Sequence, residues 1–218
     1  ATELPSQLLR LAGSAVGVAP HELDDEINED DLLPSMNLQY KLNESINLYA
    51  SYSEGFKSGG FDANLFGGDI ERLTYDAETV KAYEAGFKAQ WPTHGMSLNV
   101  SVFRADYSDL QQSSFQAIST GAFFSVSNVG GLETHGIDVD FLWAINNNWQ
   151  VSLAGGWLKA EYQDYPNAAC TPLQIRLTPQ GQTCTQDLSG QAPQFAPDYS
   201  GNASLQFSQP LANDLKLF

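Results

Sequence analysis

The sequence has little positive charge: 10 Lys and Arg stand against 26 Asp and Glu in 218 residues, a formal net charge of −16. That balance excludes nucleic acid as a partner, because its binding rests on Lys and Arg neutralising phosphates. Anionic lipid head groups are disfavoured for the same reason. Charge of either sign is scarce, at 17%, where soluble domains carry roughly 25%; the polarity lies instead in Asn, Gln, Ser and Thr. No stretch approaches the ~18 consecutive apolar residues of a membrane-spanning helix, so any crossing of a bilayer must be made by strands. The apolar run 8–19 is broken by Arg10 and has neither a starting Met nor a basic leader, so no signal peptide is expected there. Catalytic signatures are missing too. The histidines are His21, His94 and His135, none placed beside a Ser or Cys nucleophile. Without Cys-x-x-Cys, His-Glu-x-x-His or a phosphate loop, neither an enzyme nor a cofactor is expected.

What the sequence does have is alternation with a period of two, in long segments set between turn clusters. Met36, Leu38, Tyr40 and Leu42 alternate with Asn37, Gln39 and Lys41. After Asn43-Glu44-Ser45, the residues Ile46, Leu48, Ala50 and Tyr52 alternate with Asn47, Tyr49, Ser51 and Ser53, which predicts a hairpin. The pattern returns at Tyr83, Ala85, Phe87, Ala89 and Trp91, then turns at Pro92-Thr93-His94-Gly95 into Leu98, Val100 and Val102. It returns at Ile137, Val139, Phe141, Trp143 and Ile145, turns at Asn146-Asn147-Asn148, and runs back through Trp149, Val151, Leu153, Gly155 and Trp157. A last segment, Ala203, Leu205 and Phe207, leads to a turn around Pro210 to Asp214. Beyond Val102 the apolar phase switches to Phe103, Ala105 and Tyr107, which predicts either a bulge or an exit from an apolar band.

At one end the strands are joined by short turns, and at the other by long connections (57–75, 112–121 and 162–193). Such sorting is the layout of an outer-membrane barrel, with turns in the periplasm and loops outside. Trp91 and Trp149 beside the short turns fit an interfacial girdle, or else an ordinary sheet core. Residues 1–34 read as an acidic external loop or a preceding barrel segment, and 35–218 as barrel wall. Asp24, Glu26, Asn28 and Asp30 recur at every second position as in a calcium loop, yet Glu29 stands where that loop needs Gly and Ser35 where it needs Glu, so no metal is expected. Cys170 and Cys184, the two cysteines, read as a disulfide closing a surface loop, worth roughly 3 kcal/mol, or as two free thiols.

Several strings are similar to a known family. Leu48-Tyr49-Ala50-Ser51-Tyr52-Ser53-Glu54-Gly55-Phe56-Lys57-Ser58-Gly59-Gly60-Phe61 resembles the "YSxGFKxGGF" segment of TonB-dependent receptors. Glu78 to Lys88 is similar to their "ExxxxYExGxK" strand, and Phe103 to Gln111 to their "FxxDYxDxQ" strand. Asn128-Val129-Gly130 and Gly136-Ile137-Asp138-Val139-Asp140 resemble their "NxG" and "GxExE" pair, with Asp in place of Glu. The matches run in the family's order over 34–218. The resemblance implies an all-β, antiparallel up-and-down transmembrane barrel, here some seven to eight strands of a larger wall of about 22. It also implies an amino-terminal plug ahead of this segment, uptake driven through the TonB complex, and a scarce nutrient as ligand, a ferric siderophore by default. Passive porins, and receptors for cobalamin or oligosaccharide, remain the alternatives.

Site expectations follow. Glu84, Lys88, Asp138 and Asp140, on the polar face of their strands, either contact the plug or simply line a wet lumen. Ligand capture is expected on the loop side, from aromatic platforms with a few polar groups. The candidates are Phe61, Phe66, Tyr75, Tyr162, Tyr165 and Phe195, each of which could equally be packing its own loop.

Overall fold

Toward the short turns almost every second residue of the long strands is apolar, and folding brings these residues onto one face of one sheet. The computed structural model describes residues 26–62, 74–118, 121–179, 182, 184–210 and 216–217. Its elements are β1 (Ser35–Lys41), β2 (Ile46–Lys57), β3 (Gly60–Phe61), β4 (Thr74–Tyr75), β5 (Glu78–Trp91), β6 (Met96–Ile118), β7 (Gly121–Ala144), β8 (Trp149–Asp164), β9 (Ala168–Ala169), α1 (Pro172–Leu177), β10 (Thr185–Gln186), β11 (Tyr199–Phe207), β12 (Gln209–Pro210) and β13 (Lys216–Leu217). Seven strands form the main sheet, in the order β1-β2-β5-β6-β7-β8-β11. Each pairs antiparallel with its neighbours.

Register makes the two faces continuous. Leu48, Phe87, Val100 and Val139 stand opposite one another in one row, and Ala50, Ala85, Val102, Ile137 and Trp157 in the next. The opposite face repeats in polar residues: Tyr49, Gly86, Ser101, Asp138 and Gly156 form one row, and Asn47, Lys88, Asn99, Asp140 and Ala154 another. Slipping any strand by one residue would exchange its faces, so this pattern fixes the register. Among the described residues no second layer covers the apolar face: Tyr40 is 62% and Leu205 63% exposed, and Val139 is exposed as well. A water-soluble domain would bury these side chains, whereas a barrel wall presents them to hydrocarbon. From Trp91 to Tyr83 the apolar face of β5 runs for on the order of 25 Å along the strand, a fair match to the lipid band of such walls.

Short turns close the Trp91 end. A single 3-10 turn, Pro92–His94, ends at Gly95 with φ +63°, a conformation that Gly adopts without penalty. Asn146 braces its own turn, Oδ1 accepting from the amides of Asn148 and Trp149 at 2.9 and 3.0 Å. Beside it the Trp149 and Phe207 rings pack at 4.8 Å.

Two expectations change. Residues 112–121, read as an irregular loop, largely continue the β6–β7 ladder, which pairs as far as Ile118 opposite Gly121. The backbone pairing continues there although the sequence no longer alternates between apolar and polar residues. Around Val102 there is no bulge: Ala85, Glu84 and Tyr83 pair in order with Val102, Phe103 and Arg104. The phase switch is the exit from the band, because the apolar face continues there as charged Arg104 and Asp106. The irregularities come later, at Asp109 with φ +53° and at the register shift between Gly131 and Leu132.

Candidate functional site

On the polar face, alternation sends Glu84 and Lys88 of β5 to the same side as Tyr49 of β2. The Tyr49 hydroxyl donates to Glu84, and the Lys88 ammonium lies 5.5 Å from the Tyr49 ring centre. Asp138 and Asp140 lie on β7 facing the same way, with Oδ1 of Asp138 over the bare Cα of Gly156. All four charged side chains are exposed. Small neighbours (Gly86, Ser101, Ala154 and Gly156) leave this face low, open enough for another body to come close.

At the loop end the strands are tied by side-chain amides. Asn128 of β7 accepts from the Asp76 N–H at 2.7 Å and donates to the carbonyls of Asp76 and Asp109 at 2.8 and 2.7 Å. Gln111 of β6 donates to the carbonyls of Ser58 and Asp76 at 2.8 and 3.1 Å, and its own N–H donates to Glu78 at 2.8 Å. Glu29 reaches across to the Gly59 amide at 3.0 Å, and Asp62, buried, takes the Val126 amide at 2.9 Å. These contacts fix the rim that carries the β3–β4 pair. Gln111 and Asn128 stand inside the family-like strings, which by themselves mark neither for a task. The available signal was their position beside Asp109 and Gly130, where a ladder breaks and backbone groups need new partners.

The aromatic candidates separate into two kinds. Tyr162 and Tyr165 are 7% and 8% exposed, edge to face at 5.1 Å, in a small core with Val129 and Ala168. Burial pushes both phenols above their ordinary range. They pack the loop's own core. Cys170 and Cys184 are disulfide-bonded above this core, and α1 within the bridged loop is capped by Thr171, which exchanges hydrogen bonds with Gln174. Tyr75 lies with its hydroxyl over Gly60, Phe61 is partly exposed, and Phe195 is 100% exposed with φ +62°. Phe66 lies outside the described residues.

The described groups supply contact surfaces and a polar channel wall. They do not assemble a nucleophile, a base and an orienting partner. Residues 13–217 match the model of the TonB dependent receptor-like β-barrel family. The chain is 24% identical over 155 residues to the ferric-pyoverdine 358 receptor of Pseudomonas putida, across 71% of this chain and 18% of that protein. It therefore spans less than a fifth of that relative's length. Its fold is similar to that of the ferric yersiniabactin uptake receptor FyuA of Yersinia pestis, with TM-score 0.61 and 17% identity over 85% of this chain and 24% of that one. The siderophore receptor PiuA of Acinetobacter baumannii gives TM-score 0.57 and 16% identity over 79% and 23%. A two-faced antiparallel sheet, sorted turns and loops, and a family match over nearly the whole length lead to one conclusion: the chain is outer-membrane barrel wall and belongs to the TonB-dependent receptors, a family of receptors and not of enzymes.

Proposed function

We propose that this wall belongs to an energised importer of a ferric siderophore, driven through TonB by way of a plug domain carried elsewhere in the full receptor. The observation that supports this most is the polar face, a low surface of mostly uncharged polar groups with Glu84, Lys88, Asp138 and Asp140 spaced along it. In this reading those four side chains meet the plug through polar links weak enough to be broken during transport. Cargo is captured on the loop side by Phe61, Tyr75 and Phe195, the aromatic candidates whose rings are not consumed by the loop's own core. The similarity to receptors for ferric-pyoverdine and ferric yersiniabactin favours an iron chelate over cobalamin or oligosaccharide.

The test is iron-55 uptake from a panel of ferric chelates by a deletion strain carrying the full-length gene, with and without functional TonB. Uptake of at least one chelate that is lost without TonB is expected. Uptake indifferent to TonB would give a passive barrel instead, and growth rescue by cobalamin or an oligosaccharide in place of iron would replace the cargo.

A further inference from the structure

Toward the loops, the apolar face ends in two rows of unlike character. The first holds Tyr52, Tyr83, Arg104, His135 and Lys159, side by side across β2, β5, β6, β7 and β8. The second, two residues farther out, holds Glu54, Lys81, Asp106, Glu133 and Glu161. Cations thus stand in the row next to the hydrocarbon, and carboxylates mainly behind them. Arg104 is held at 3.0 Å by Asp106 and 2.9 Å by Glu133, Lys159 at 3.0 Å by Glu161, and His135 lies 3.1 Å from Glu133. A guanidinium has five N–H donors and an ammonium three, more than these carboxylates take up. Both cationic side chains are more than half exposed, at 53% and 55%, so the carboxylates aim them without using them up.

Below the cations the same face has a notch. The row of Leu48, Phe87, Val100 and Val139 ends in Gly155 of β8 and Gly201 of β11. The missing side chains leave a groove of about 570 Å³, walled by Val139, Phe141, Leu153 and Ala203. A Cβ on Gly155 would meet nothing nearer than the Ser200 carbonyl at 3.7 Å. The chain's own packing therefore does not require glycine there, and the space opens outward. Gly155 lies four residues below Lys159, about 13 Å along the strand. An acyl chain seated in the groove would carry its head group up to the cations.

We propose that this corner binds one phosphorylated lipid of the outer leaflet, an acyl chain in the Gly155–Gly201 groove and a phosphate on Arg104 and Lys159. Guanidinium and phosphate match in bidentate geometry, and the contact is strongest at the edge of the hydrocarbon, where water is thinned. The net charge of −16 opposes an anionic surface at long range, so the site acts through these local donors.

The full-length receptor would be purified from outer membranes and placed in nanodiscs with equal amounts of bis-phosphorylated lipid A, dephosphorylated lipid A and phosphatidylglycerol, and retained lipid counted by native mass spectrometry. Phosphorylated lipid A should be retained preferentially. Retention should fall at least fivefold in the Arg104→Gln, Lys159→Gln double variant and also in Gly155→Leu, with melting temperature unchanged, and should survive Lys81→Gln in the outer row. Equal retention of the three lipids, or a loss in only one of the first two variants, overturns the proposal, as does an equal loss with Lys81→Gln.

Discussion

The side-chain amide of Asn128 grips the backbone of Asp76 from both sides, taking its N–H at 2.7 Å and giving a hydrogen bond to its carbonyl at 2.8 Å. The same Nδ2 reaches the carbonyl of Asp109, so one residue of β7 fixes the approach to β5 and the kink in β6. Asn128→Ala removes these bonds at a partly exposed site, which at about 1 kcal/mol for most of them gives roughly 2 kcal/mol of local stability. Amide exchange at Asp76 should then accelerate about 30-fold, while exchange within the lipid-band part of β5 and β6 should not change. Equal acceleration in both places would refute the local role.

The faces of the wall were legible in the sequence because hydrocarbon imposes a strict code: Leu48, Phe87, Val100 and Val139 had to alternate with polar neighbours whatever else they did. Above the band that code lapses. The ladder from Gln112 to Ile118 was therefore read as a loop, since nothing there forces one face to be apolar. The loop core was hidden for a different reason. Tyr162 and Tyr165 come together with Val129 through contacts distant in sequence, and an aromatic residue in a loop looks the same whether it faces a ligand or a neighbour. The Gly155 notch shows only once register sets it beside Gly201.

The two faces should answer oppositely to the same substitution. Val139→Arg puts a cation into hydrocarbon and should cost about 2–4 kcal/mol, the range for the middle of such a band. Asn99→Arg, one strand away but on the wet face beside Asp140, should cost less than about 1 kcal/mol. Urea unfolding of the full receptor in lipid vesicles measures both. Equal costs would mean that the faces have been assigned wrongly.

Cys170–Cys184 closes a loop with sequence separation 14, worth roughly 3 kcal/mol through the entropy of the open chain. Cys170→Ser with Cys184→Ser should make the 162–193 segment sensitive to trypsin at Arg176 within minutes. The barrel itself should keep its resistance to unfolding by detergent at room temperature, because its stability lies in the ladders.

Phe195 combines full exposure with φ +62°, a backbone conformation that costs a bulky residue about 1 kcal/mol. Replacing Phe195 with Gly should relieve that strain and give back a similar amount in unfolded-chain freedom, leaving stability within about 1 kcal/mol. If the ring is a capture platform, affinity for the cargo should nevertheless drop about tenfold, read by fluorescence quenching on the full receptor. Unchanged affinity would make the ring a bystander.

The paired tyrosines give the loop a defined alkaline limit. Burial raises both phenols above tyrosine's ordinary value of 10.0, so the folded loop favours the neutral form more than the unfolded loop does. A raised folded pKa means that this contribution is complete below about pH 10 and is lost as pH climbs through the folded value. Proteolysis of the 162–193 segment should therefore speed up as the pH climbs above about 10, while the barrel strands stay protected. Tyr162→Phe with Tyr165→Phe keeps the edge-to-face rings and removes the ionisable hydroxyls, so the double variant should lose that alkaline step. If the step persists in the double variant, some other group sets it and the buried phenols are not the cause.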